Sequence, residues 1–125
     1  MSGRVVHFEI PFDDGERARA FYRDAFGWVI NEYPDMHYDI VQTGPVDDDG
    51  FPADKGYVGG GMIKRESPTD RPVITIDVDD IDAALARIEE LGGMAVLGRQ
   101  DVGDMGYAAY FKDVEGNLMG LFQAR

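Results

Sequence analysis

Cysteine is absent from these 125 residues. That excludes disulfides, thiolate metal sites and cysteine nucleophiles. Serine is nearly absent, with only Ser2 and Ser67 in a terminus and a linker, so a Ser-His-Asp arrangement has no good candidate. Basic residues are scarce, 12 against 24 acidic, for a net charge of −12. A surface of that sign disfavours nucleic acid, whose phosphates need a basic patch, and anionic membranes; its plainest consequence is a repelling, solubilising surface. No apolar run approaches the roughly 20 residues of a membrane-spanning helix. No charged-then-apolar leader opens the sequence. The expected location is therefore cytoplasmic.

What is present suffices for one domain. A chain of this length buries about two-thirds of its unfolded surface without staples. The informative stretch is HFEIPFDDGERARAFYRDAFG, from His7 to Gly27. Alternation in Val5-Val6-His7-Phe8-Glu9-Ile10 predicts a strand with unlike faces. Val6, Phe8 and Ile10 want a core, whereas His7 and Glu9 need a solvated cleft or partners. A helix follows over 16–26, with Ala18, Phe21, Tyr22 and Ala25 as its apolar stripe and Gly27 as its stop. Strands are expected at 28–33, 37–43 and about 57–64. Between the last two, GPVDDDGFPADKG (44–56) reads as a long loop, either a lid or an interaction segment. Its Asp47-Asp48-Asp49-Gly50 lacks the alternate spacing of a calcium loop and reads as solvated.

Residues 65–71 read as a linker. The pattern then repeats. Val73–Val78 alternates, Asp79 or Asp80 can cap a helix over about 80–91, and Ile81, Ala84, Leu85, Ile88 and Leu91 form its stripe. Strands are expected at 94–100, 105–112 and 117–123. A shift of 66 residues lays His7 on Val73, Ile10 on Ile76 and Gly27 on Gly93. The fold class is thus α+β: two tandem βαβββ modules, 1–64 and 72–125, with helices on one side of a curved mixed sheet and a cleft on the other.

His7 with Phe21-Tyr22 and Gly27-Trp28, then Asp79-Asp80, Gly92-Gly93 and Phe111-Lys112-Asp113-Val114-Glu115-Gly116-Asn117, resembles the vicinal oxygen chelate superfamily. That superfamily includes glyoxalase I, bleomycin-resistance proteins and extradiol dioxygenases. HFEIPFDD, FYRDAFGW and GGGM are most similar to its glyoxalase-related predicted-enzyme branch. The resemblance implies the fold over essentially the whole chain, and a homodimer. In metal-using members, four ligands lie on the first and last strand of each half. Here those positions carry His7, the stretch Gly60–Met62, Val73 and Gly120, and only His7 can ligate. No metal and no cofactor are expected; Glu9 and Asp77 are the substitutes that a metal would have to use.

His7 and Glu9, at i and i+2, stand about 6–7 Å apart on one strand face. They are the catalytic candidates, one as base and the other as orienter or acid. The plainer alternative is a polar pair that fixes the sheet. Tyr38, Tyr57, Tyr107, Phe111 and Met62 are expected to line an apolar-aromatic pocket, with Phe122 flanking Gly120 and with Gly60 allowing close approach. Many such side chains are simply core. Two functions stay open: a binder of a small, partly apolar molecule that performs metal-independent proton transfer or isomerisation, and a non-catalytic drug- or antibiotic-binding protein. A metal-dependent lyase or dioxygenase is disfavoured by the missing ligands.

Overall fold

The computed structural model describes residues 3–125. Ser2 lies outside them. Eight strands and two helices form two compact units, one of residues 7–72 and the other of residues 3–6 with 73–125.

The first unit contains most of β1 (Val5–Phe12), then α1 (Gly15–Phe26), β2 (Val29–Tyr33), β3 (Tyr38–Gln42) and β4 (Gly59–Lys64). Its strand order is β2-β3-β4-β1. β1 and β4 run parallel, with His7 opposite Gly59 and Glu9 opposite Gly61. The β2–β3 and β3–β4 pairs are antiparallel. Asp14 caps α1 by accepting the Arg17 N–H, which satisfies an orphan donor of the first turn. Gly27 ends the helix in the left-handed conformation, φ 73°, where a side chain would be strained. The core is Ile30, Val41 and Met62, with Phe8, Ile10, Phe12, Ala18, Tyr22 and Trp28 packed around it. Phe8, Ile10 and Phe12 therefore point toward α1, and by alternation His7, Glu9 and Pro11 point the other way. The expected stripe of α1 is narrower than its sequence suggests. Tyr22 lies flat on Trp28, at 4.8 Å between ring centres and 5° between planes, whereas Phe21 remains 59% exposed.

The second unit repeats the order with β5 (Val73–Asp77), α2 (Ile81–Glu90), β6 (Met94–Asp101), β7 (Gly106–Lys112) and β8 (Leu118–Ala124), arranged β5-β8-β7-β6. Asp80 caps α2 through the Ala83 N–H. Ile81, Leu85, Ala109, Phe111 and Leu121 form its core. Leu91 falls off the expected stripe because the helix stops at Glu90, and it is exposed. The β7–β8 turn is held by Asp113, whose carboxylate accepts the N–H groups of Asn117 and Glu115 and the Asn117 amide. Those bonds, led by the Asn117 N–H, hold its pKa below the ordinary carboxylate value.

The α+β class and the tandem βαβββ order expected from the sequence are the observed ones. The loop over 44–56 is strapped down locally. Tyr57 donates its hydroxyl hydrogen to the Pro45 carbonyl and accepts the Ala53 N–H, while Asp47 accepts the N–H groups of Asp49 and Phe51.

Candidate functional site

The polar face of β1 carries the candidate site. His7 and Glu9 project from it, and Tyr38 reaches across from the start of β3. The Tyr38 hydroxyl donates to Glu9 Oε2 at 2.8 Å, and His7 Nε2 lies 2.8 Å from the same hydroxyl oxygen. The two candidate residues are thus joined through a third rather than directly. The rings of His7 and Tyr38 are nearly parallel, 15° apart. Room for this comes from β4. Gly61 pairs with Glu9, and a methyl group there would collide with the Tyr38 hydroxyl. Only a residue without Cβ lets the phenol lie across the strand.

Glu9 is 8% exposed. A carboxylate so far removed from water needs donors, and the Tyr38 hydroxyl is one of them. Burial lowers the pKa of His7, and the nearby Glu9 charge opposes that shift without reversing it. His7 is therefore a neutral imidazole at neutral pH, able to accept a proton.

The remaining expected site residues scatter. Met62 is fully buried in the first core, not in a pocket, because its position on β4 has the parity of the α1 side. Gly60 shares that parity and admits the Phe8 ring, so the glycine that serves the polar face is Gly61. Tyr57 braces the 44–56 loop. Phe111 belongs to the α2 core. Tyr107 is flanked by the guanidinium groups of Arg99 and Arg125, each 4.8 Å from its ring centre. Phe122 is half-buried on β8, opposite in parity to the core residue Leu121. Tyr38 alone of the expected aromatics joins the two catalytic candidates. Its bridging role is not readable from the sequence, because alternation puts it on a strand face without saying how far its ring leans. An open pocket of about 360 Å³ in the same unit is lined by Tyr38 with Phe12, Arg19, Tyr33, His37 and Lys64. His7 and Glu9 do not line it.

The donor set does not fit a divalent ion. Of the positions that the family resemblance assigns to ligands, Met62 and Val73 are buried apolar residues, and Gly120 packs under Thr75, with its absent Cβ 2.7 Å from Thr75 Oγ1. Among the described residues no group of three or more His, Cys, Asp or Glu is placed to hold a metal, against the usual three protein ligands of a catalytic zinc.

Comparison with known proteins agrees with this architecture. The family described as bleomycin resistance protein-like N-terminal matches residues 4–44. A "Glyoxylase-like domain-containing protein" of Didymella fabae is 32% identical over 123 residues, covering 94% of this chain and 91% of that protein. Among solved structures, a glyoxalase/bleomycin resistance protein/dioxygenase superfamily member from Vibrio splendidus superposes with a TM-score of 0.62 at 21% identity, over 98% of this chain and 99% of that one. Methylmalonyl-CoA epimerase from Mycobacterium tuberculosis gives 0.64 at 17% identity, over 98% of this chain and 88% of that one. At such identities the structural likeness speaks for the fold alone. The fold and the full-length relative together establish that this chain belongs to the vicinal oxygen chelate (glyoxalase/bleomycin resistance/dioxygenase) superfamily, with glyoxylase-like domain proteins among its relatives.

Proposed function

We propose that this chain binds a small, partly apolar molecule against the polar face of β1 and moves a proton on it without a metal. His7 is the base and Glu9 the carboxylate that stabilises its protonated form. The observation that carries this reading is the pair of 2.8 Å hydrogen bonds joining His7 and Glu9 through Tyr38. A neutral imidazole receives the proton, and the imidazolium so formed is connected to a buried negative charge. That charge is pre-placed where positive charge develops, which is the condition for efficient general base catalysis.

The test is proton exchange in D2O. Small carbonyl compounds are incubated with the protein, and loss of their C–H signals is followed by NMR. Wild type is expected to accelerate exchange of a compound that it binds. His7→Ala should lower that exchange about 10²–10⁴-fold, the range typical of a positioned acid or base, while affinity changes little. Unchanged binding and unchanged exchange in both His7→Ala and Glu9→Gln would remove the proposal. A second reading has its own support, in the match of residues 4–44 to the bleomycin resistance protein-like family. Under it the same face holds a ligand without chemistry, and saturable binding with no exchange in wild type would select it.

A further inference from the structure

A phenol has one hydrogen to donate. In Tyr38 that hydrogen is directed to Glu9 Oε2 at 2.8 Å. His7 Nε2 lies 2.8 Å from the same oxygen, and a bond there needs a hydrogen of its own. It has to come from the imidazole. A neutral imidazole carries one N–H, so with Nε2 protonated the basic lone pair sits on Nδ1.

We infer that Tyr38 is a positioning residue that sets His7 as the Nε2–H tautomer, leaving Nδ1 as the nitrogen that receives a proton from a bound molecule. This rests on the reading of His7 as the base and says which atom of it does the work. The order of donation is His7 Nε2–H to Tyr38 oxygen, then Tyr38 O–H to Glu9. When Nδ1 gains a proton, the bond to the departing hydrogen breaks with its electron pair left on the ligand. The imidazolium that forms keeps its Nε2–H bond to Tyr38, and nothing in the chain has to rotate. The opposite tautomer would put Nδ1–H toward the ligand and make the ring a donor, unable to act as a base until it flipped. Gly61 is part of the device, because any side chain there would displace the Tyr38 hydroxyl.

The tautomer is read directly from imidazole nitrogen shifts in long-range ¹H–¹⁵N NMR spectra, at a pH where the ring is neutral. The chain has two histidines, His7 and His37. His37 sits exposed in a turn and serves as an internal reference, and His37→Gln assigns the signals. In wild type, Nε2 of His7 should be pyrrole-like and Nδ1 pyridine-like, with a wide separation. In Tyr38→Phe that separation should narrow toward the averaged pattern of His37. In Glu9→Gln the amide N–H groups can donate to the Tyr38 oxygen. This lets the hydroxyl hydrogen turn toward His7, so a shift toward the Nδ1–H tautomer is expected. Folding of each variant is verified from its backbone amide spectrum. A wild-type His7 found as Nδ1–H, or a folded Tyr38→Phe protein with both His7 nitrogen shifts unmoved, overturns the inference. The expected shifts in a protein that exchanges no ligand proton would support the orientation while defeating the catalytic reading above.

Discussion

At the scale of single residues, two adjacent glycines of β4 make opposite predictions. Gly61 faces the polar side and Gly60 the core, and both lie where a methyl group would strike an aromatic side chain. Gly61→Ala pushes against the far end of Tyr38, which can swing away. The fold should survive, but Glu9 and His7 lose their shared partner. The expected cost is about 1–3 kcal/mol, the penalty for leaving a buried polar group short of a hydrogen bond. Gly60→Ala pushes against Phe8, which is packed on Trp28 with ring centres 5.7 Å apart. Overpacking of that kind costs about 1–3 kcal/mol as well, but it should alter Trp28 fluorescence and leave the His7 nitrogen shifts alone. Urea denaturation with both spectra separates the two. If Gly61→Ala left the His7 spectrum untouched, the placement of Tyr38 across β4 would be wrong.

His7 also makes a prediction about pH. Burial holds its folded pKa below the ordinary value near 6.5. Between those two values the unfolded chain binds more protons than the folded one. Stability rises with pH wherever the unfolded state holds more protons. Acidification through about 6.5 should therefore lower the Tm, and the loss continues until the folded imidazole has charged too. His7→Gln should flatten that part of the profile, as checked by thermal melts between pH 7.5 and 5. An unaltered slope in the variant would assign the effect to other groups.

At the scale of elements, α1 shows both what the sequence disclosed and where it stopped. Offsets of 3 and 4 put Ala18, Phe21, Tyr22 and Ala25 on one broad stripe, but a stripe is wider than the strip of helix that touches a sheet. Tyr22 meets the sheet and stacks on Trp28, whereas Phe21 hangs at the margin with only edge contacts to Tyr22 and Phe26. Tyr22→Ala should therefore cost about 2–4 kcal/mol, and Phe21→Ala less than about 1 kcal/mol, in chemical denaturation. Equal losses would mean that the helix is rolled about its axis relative to this structure. Strand faces were legible by the same kind of reasoning and with better precision, because a period of two leaves no margin. Alternation alone puts His7 and Glu9 on a face away from Phe8 and Ile10. Met62 and Gly60 turn to the core rather than to a pocket because the parity of β4 depends on where the glycine run joins its neighbour, and that is fixed only by pairing: Glu9 opposite Gly61, and Ile10 opposite Met62. The bridge through Tyr38 was beyond reach for a further reason. It depends on register between segments about thirty residues apart and on a ring leaning across a strand, neither of which has any local pattern. The repeat itself carries one more consequence. The 66-residue shift sets Val73 and Thr75 in place of His7 and Glu9, so the second unit keeps the scaffold of the first without its histidine and glutamate.

At the scale of the whole molecule the governing quantity is charge. Acidic residues exceed basic ones by two to one, for a net charge of −12 on 125 residues. Among the described residues the ion pair between Arg19 and Asp39, at 3.0 Å, is well shielded, with Asp39 6% exposed. The pairs made by Arg65, Arg87, Arg99 and Arg125 have partners that are all well over half exposed. Exposed pairs contribute about 0–1 kcal/mol each and are screened along with everything else at the surface. Repulsion among unpaired carboxylates is long-ranged and acts on the compact state, where like charges are closest. Salt shortens its reach from about 30 Å at 0.01 M to about 10 Å at 0.1 M and about 3 Å at 1 M. The two effects of added salt therefore oppose each other, and with twelve negative charges in excess the relief of repulsion should win. Raising NaCl from 20 mM to 500 mM should increase the Tm by several degrees, with most of the gain below 200 mM, where the screening length changes fastest. Replacing three exposed acids of the 44–56 loop, as in Asp47→Asn with Asp48→Asn and Asp49→Asn, should reduce the salt gain more than neutralising Asp79, Asp80 and Asp82 near the start of α2. Asp80 and Asp82 also answer the helix dipole, so their loss removes a favourable term as well as a repulsive one. A Tm that fell on adding salt would show that the ion pairs, not the excess of carboxylates, dominate the surface.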